Sequence, residues 1–313
     1  MTSLDGTPAL AEGIARYVEL FRASAPAPDL ETMRLTGDLT ARRFVQEFAP
    51  AVDRFDSYVV APDREIPIRI FDPGGEGARP AICYFHGGGF ALGSVESFDL
   101  PCAALAEAAG AVVVSVHYRR LPDADYAAAQ ADCDAAYAWL IRHAAMLGID
   151  AGRIGVGGDS VGALLALACA ANTRQAQVPL PFFQLLFYGT FAMDPERADY
   201  AHGRDPLLSQ ERVQQYIRLF RACGGLAAGP APVDRSDLAG LPRTHIVIAE
   251  HDPLAGEARQ LADRLRNAGV DHSVQVAGSM IHGFLRAVGV SAAARAELAT
   301  AVRAIPQFQG VDA

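Results

Sequence analysis

The chain has 313 residues, 51% of them hydrophobic and 20% charged, enough for one large domain that buries about three quarters of the surface its unfolded chain exposes. Lys and Arg total 27 against 36 Asp and Glu, a net charge of −9 with no basic stripe, which excludes a nucleic-acid partner whose phosphates reward clustered cations. No apolar stretch approaches the roughly 20 residues a membrane helix needs, and residues 1–8 lack a basic-then-apolar signal pattern, so a cytoplasmic protein without a membrane partner is expected.

In chain order, residues 1–50 carry the amphipathic run Ile14-Ala15-Arg16-Tyr17-Val18-Glu19-Leu20-Phe21, which predicts helix. Strands are expected near 55–61 and 66–71, close enough to form an antiparallel edge, then near 81–85, 111–117, 153–157, 181–188, 244–250 and 271–277. Helices are expected between most of them, including an Ala-rich one over 126–146, one following residue 160, and one over 253–268 that Gly269 stops. Such alternation implies a mostly parallel eight-stranded sheet with helices on both faces. Residues 190–228 break the alternation and, with 1–50, are expected to form a helical cap on a core of 51–189 and 229–313. The five cysteines, at 83, 102, 133, 169 and 223, are odd in number and show no C-x-x-C spacing, as for buried reduced thiols rather than disulfides or a metal site.

The most informative segment is Gly158-Asp159-Ser160-Val161-Gly162, between a strand-like run and a strong helix start. That context suits a sharp turn exposing the Ser160 hydroxyl as a nucleophile, with glycines where the chain passes close to its neighbours. Upstream, His86-Gly87-Gly88-Gly89-Phe90 follows the apolar run Ala81-Ile82-Cys83-Tyr84-Phe85. Consecutive glycines let backbone N–H groups converge on one point, as an oxyanion hole requires, and losing one such donor typically costs about 3 kcal/mol of barrier. A flexible turn or phosphate cradle is the competing reading, but no G-K-[ST] follows and no G-x-G-x-x-G opens a helix there.

Downstream, Asp252 ends the expected strand at 244–250, and His282 lies just beyond the one at 271–277. Serine, acid, histidine is the chain order of the triad on an α/β-hydrolase sheet. The chemistry needs these types: a serine hydroxyl attacks only when a neutral imidazole takes its proton, and that imidazole needs a carboxylate to fix its tautomer. Glu250 and Asp271 are nearby carboxylates that could serve in place of Asp252. His251 reads as packing, and His117, His143, His202, His245 and His272 carry no contextual signal.

These blocks resemble the hormone-sensitive-lipase-like branch of bacterial esterases, bacterial family IV, from about residue 50 to 305. Tyr118-Arg119-Arg120-Leu121-Pro122-Asp123 and Gln184-Leu185-Leu186-Phe187-Tyr188 extend the likeness. The resemblance implies the α/β-hydrolase fold, oxyanion donors from the N–H groups of Gly88, Gly89 and Val161 on a loop shaped by His86 and Gly87, and no cofactor. Three positions depart from the family pattern. Val161 stands for alanine and would narrow the pocket; Ala163 stands for glycine and Gly189 for proline, which bears on helix packing and cap placement.

The expected function is hydrolysis of short-to-medium acyl carboxylic esters through Ser160, His282 and Asp252, with Phe90, Phe191 and Ile281 lining the substrate pocket. The substrate is a small-molecule ester, no metal is involved, and the exposed sheet edges could pair two copies into a homodimer. The nearest rival is an amidase or deacetylase using the same triad. A binding protein on the hydrolase fold is a rival of another class, resembling plant hormone receptors that keep the H-G-G-G region but lack the histidine, which this chain retains.

Overall fold

The computed structural model describes residues 9–24, 27–45, 48–227 and 229–306. Among them eight strands form one sheet: β1 (Asp53–Val60), β2 (Glu65–Asp72), β3 (Arg79–Phe85), β4 (Val112–Val116), β5 (Ile149–Asp159), β6 (Phe183–Phe187), β7 (Arg243–Ala249) and β8 (His272–Ala277). Their spatial order is β1-β2-β4-β3-β5-β6-β7-β8. β1 and β2 form the antiparallel edge the sequence predicts, β2 also runs antiparallel to β4, and all later pairings are parallel. Every residue of β4 and β6 is buried, and both are apolar but for one residue each, Ser115 and Gln184, whereas the last strand, β8, is partly or largely exposed up to the buried Ala277.

Alternate residues of each strand feed opposite faces, and the two hydrophobic clusters divide accordingly. Ala81, Cys83 and Phe85 of β3 join the cluster of α4 (Tyr126–His143), α5 (Val161–Ala176) and α7 (Ala255–Asn267). Ile82 and Tyr84 join that of α1 (Ile14–Arg22), α3 (Asp99–Ala109) and α8 (Ala292–Arg303). Helix starts are held by side chains: Asp125 accepts the N–H of Ala128 at 2.8 Å, and Ser291 that of Ala294 at 3.0 Å.

Two segments lie outside the alternation. Residues 9–45 carry α1 and α2 (Leu30–Ala41), and residues 190–227, between β6 and β7, carry a short 3-10 turn (Ala198–His202) and α6 (Gln210–Ala222). Of the expected cap, residues 1–8, 25–26, 46–47 and 228 lie outside the described residues. The departures at 163 and 189 compensate each other: a Cβ on Gly189 would meet the Ala163 methyl at 2.7 Å and the Phe191 ring at 2.2 Å, so a glycine makes the room both side chains occupy. Among the described residues no helix is long and apolar enough to cross a membrane.

Candidate active site

Ser160 sits between β5 and α5 with φ 54° and ψ −120°, a left-handed position rare for a residue with a side chain and the mark of a strained elbow. The flanking glycines are forced by close approach: a Cβ on Gly162 would lie 1.9 Å from the Phe85 carbonyl oxygen, and one on Gly158 2.4 Å from that of Gly162.

His282 leaves the loop after β8 and reaches Ser160, with Nε2 2.9 Å from Oγ. Its Nδ1 lies 2.7 Å from Oδ2 of Asp252, on the loop after β7, where Asp252 is only 4% exposed and also accepts the N–H of Leu254 at 2.8 Å. A carboxylate at Nδ1 requires that nitrogen to carry the proton, leaving the Nε2 lone pair for the serine hydroxyl. The other two carboxylates are spent elsewhere: Glu250 accepts the N–H of Ser279 at 2.6 Å, and Asp271 pairs with Arg243 at 3.2 Å. His251 contacts the Ala9 carbonyl at 3.0 Å, a packing role.

Asp205, in the 190–227 segment, accepts the backbone N–H of His282 at 2.6 Å and those of Leu207 and Leu208 at 2.7 and 3.0 Å. Burial opposes charge on His282, but the carboxylates of Asp252, Asp205 and Asp159 outweigh it and leave the imidazole pKa above its ordinary 6.5.

The glycine loop follows β3. Gly87 donates its N–H to Oδ1 of Asp159 at 2.8 Å, and the Tyr84 hydroxyl donates to the same oxygen at 2.9 Å. Tyr118 donates its hydroxyl to the His86 carbonyl at 2.6 Å and stacks on the His86 ring at 4.4 Å. Burial drives the His86 pKa down to about 3, so this ring stays neutral and shapes the loop. Beyond it Gly88 (φ 124°) and Gly89 (φ 61°) turn the backbone, and a Cβ on Gly89 would fall 2.3 Å from the Tyr216 ring. Among the described residues the N–H groups of Gly88, Gly89 and Val161 have no protein acceptor, and Val161 is the first residue of α5, where helical donors are unfilled.

A cavity of about 540 Å³ opens over Ser160 and His282, walled by the glycine loop, by Tyr17 and Thr40 of the first segment and by Val213 and Tyr216 of α6. Phe90 and Val161 line it; Phe191 and Ile281, expected there from the sequence, do not. Both are fully buried in the hydrophobic clusters, Phe191 in that of α4, α5 and α7, with its backbone N–H donated to the Glu257 carboxylate, and Ile281 in that of α1, α3 and α8. Sequence reasoning missed Asp159 and Asp205, since nothing in a lone aspartate tells which backbone N–H it will meet. Among the described residues no three His, Cys, Asp or Glu side chains are grouped to hold a metal ion.

The family model described as the alpha/beta hydrolase fold matches residues 82–286. Esterase LipI of Mycobacterium tuberculosis is 34% identical over 256 residues, covering 80% of each chain. Ethyl acetate hydrolase of Pseudomonas putida is 29% identical over 310 residues, 94% of this chain and 98% of its own. The solved hyperthermophilic esterase of Pyrobaculum calidifontis superposes with a TM-score of 0.84 at 27% identity, covering 95% of this chain and 98% of that one. With a strained serine turn, a glycine loop and an ordered Ser-Asp-His set on such a sheet, the chain belongs to the α/β-hydrolase fold family, in its hormone-sensitive-lipase-like carboxylesterase branch.

Proposed function

We propose that this protein is a serine carboxylesterase that cleaves short-to-medium acyl esters held in the cavity over Ser160. The observation that carries the reading is the unbroken line from Ser160 Oγ to His282 Nε2 (2.9 Å) and from His282 Nδ1 to Asp252 (2.7 Å), opening into that cavity. The names of the relatives, esterases and an ester hydrolase, support the same reaction.

Ser160 Oγ attacks the ester carbonyl while His282 takes its proton, and Asp252 stabilises the imidazolium that forms. The negative charge on the carbonyl oxygen is met by the N–H groups of Gly88, Gly89 and Val161, which need no reorganisation because their loop is already fixed by Asp159 and Tyr118. His282 then gives its proton to the leaving alcohol, the acyl group stays on Ser160, and a water activated by the same imidazole releases the acid. The core that carries this chemistry is the described part of 51–189 and 229–313, and the cap whose walls set the substrate is the described part of 1–50 and 190–228.

The test is hydrolysis of 4-nitrophenyl esters from acetate to palmitate by wild type and Ser160→Ala, with organophosphate labelling read by mass spectrometry. Turnover of the short chains and one label on Ser160, both lost in the variant, are expected. An unlabelled wild type that turns over no ester overturns the reading and favours ligand binding.

A further inference from the structure

The cavity over Ser160 carries a charge pattern that ester hydrolysis does not need. Among the described residues its wall holds four arginines, Arg22, Arg34, Arg212 and Arg286, and one carboxylate, Asp159, in a chain whose net charge is −9. Asp159 is already occupied by Gly87 and Tyr84. Arg34 donates to the carbonyls of Ala91 and Leu121 and pairs with Asp123, Arg22 donates to the Pro206 carbonyl at 2.8 Å, and Arg212 lies 6.0 Å over the Tyr216 ring.

Arg286 differs from these three. Its Nε and Nη2 are buried and, among the described residues, have no hydrogen-bond acceptor, and no carboxylate forms an ion pair with it. Its guanidinium is held by ring faces instead, 5.7, 5.5 and 5.8 Å from the centroids of Phe21, Phe44 and Phe98. The backbone ties it to the reacting histidine: Arg286 N–H donates to the Gly283 carbonyl at 3.0 Å, one turn beyond His282. Behind it lies a smaller cavity whose acids, Glu96 and Asp99, are taken by Arg42, Arg54 and Arg69.

The geometry points to an ester that carries a carboxylate as the substrate class of this site, its carbonyl at Ser160 and its carboxylate against the Arg286 guanidinium. The inference rests on the ester-hydrolase reading above and narrows it. A guanidinium with no internal carboxylate partner attracts a carboxylate by charge, and with Nε and Nη2 covered by protein it is Nη1 that is left to donate to it. Low-dielectric walls focus that field, and Arg22 and Arg212 add to it at the same cavity. Neutral alkyl esters need none of this, and the three phenylalanine rings could be packed at less cost by an apolar side chain.

Two matched pairs of esters test it, one for each side of the scissile bond: 4-nitrophenyl hydrogen glutarate against 4-nitrophenyl pentanoate, and 4-acetoxybenzoate against its methyl ester. In wild type at least one charged ester is expected to exceed its neutral partner about tenfold in kcat/KM, mostly through KM, and to lose that advantage at high salt and in Arg286→Gln. Neutral partners that match or exceed both charged esters in wild type overturn the inference while leaving the esterase reading intact, as does a charged-ester advantage unchanged in Arg286→Gln. Should that variant fail to fold, competitive inhibition of a neutral ester by glutarate in wild type takes its place, and no inhibition overturns the inference. If no ester is turned over, the esterase reading fails by itself, and the carboxylate site is decided by whether glutarate raises the Tm of wild type.

Discussion

The carboxylate of Asp159 accepts the backbone N–H of Gly87 at 2.8 Å, so the residue before the proposed nucleophile holds the loop of the proposed oxyanion donors. Burial pushes its carboxyl pKa up to about 6 from an ordinary 3.8, against the pull of the Tyr84 and Gly87 hydrogen bonds. Because the folded state binds the proton more tightly, this group favours folding fully below pH 3.8 and that contribution is lost as pH rises to about 6, a change of about 3 kcal/mol. Asp159→Asn keeps an Oδ1 for both donors and does not titrate, so it should gain on wild type in urea unfolding between about pH 4 and pH 7. A difference that stays constant with pH rejects this account. Asp159→Ala strands both donors and should cost about 1–3 kcal/mol with a loss of kcat.

The acid limb of kcat/KM should lie above pH 6.5, because the surrounding carboxylates raise His282 despite its burial and the protonated imidazole cannot accept from Ser160. Asp205→Asn removes one of those charges and should move the limb to lower pH; having one oxygen where the carboxylate uses both, it leaves either the His282 N–H or those of Leu207 and Leu208 without an acceptor, so some loss of kcat should accompany the shift. Asp252→Asn should lower kcat about 10⁴-fold, since the imidazole tautomer is no longer fixed. A limb below pH 6.5 in wild type contradicts the arrangement.

Gly89→Ala meets two obstacles, a φ of 61° and a Tyr216 ring 2.3 Å from the new methyl. Turnover should fall about 10²-fold as the loop shifts, with the sheet and its far-UV signal intact. Adding Tyr216→Ala removes the clash but not the unfavourable φ, so partial recovery is expected; none at all would mean the steric contact is irrelevant.

Glu257 of α7 is fully buried, and its carboxylate accepts the N–H groups of Phe191 and Ala192, the Thr190 hydroxyl and the Tyr200 hydroxyl. It fastens the start of the 190–227 segment to the core. Glu257→Ala should cost about 2–4 kcal/mol in urea unfolding and raise KM more than it lowers kcat, because it loosens a cavity wall rather than the reacting groups. Unchanged stability would show that water replaces the lost acceptor.

The sheet was legible because strands covered on both faces are almost wholly apolar, as in Val112-Val113-Val114-Ser115-Val116, where Ser115 is the single polar residue. The elbow and glycine loop were legible because both depend on glycines at fixed positions. β5 extends to residue 149, four positions before its expected start, because Ile149 pairs with Arg79 and the register then shifts before pairing resumes at Ile154, so the exposed or half-exposed residues 150–153 carry no apolar pattern. Phe191 and Ile281 look like pocket residues by composition, but their direction depends on local backbone turns that a sequence does not display. Asp159, Asp205 and Glu257 were invisible for the same reason, and Arg286 looked like any surface arginine.

The 190–227 segment leaves the sheet at the end of β6 and returns at β7, two strands that pair directly in parallel register from Phe183 opposite Arg243 to Phe187 opposite Val247. Its length and sequence therefore have no bearing on how the strands align. Substitutions, insertions or exchange with a homologue's loop that keep Asp205 on the His282 N–H can remodel what the enzyme admits, and directed evolution of selectivity has one contiguous stretch of gene in which to work.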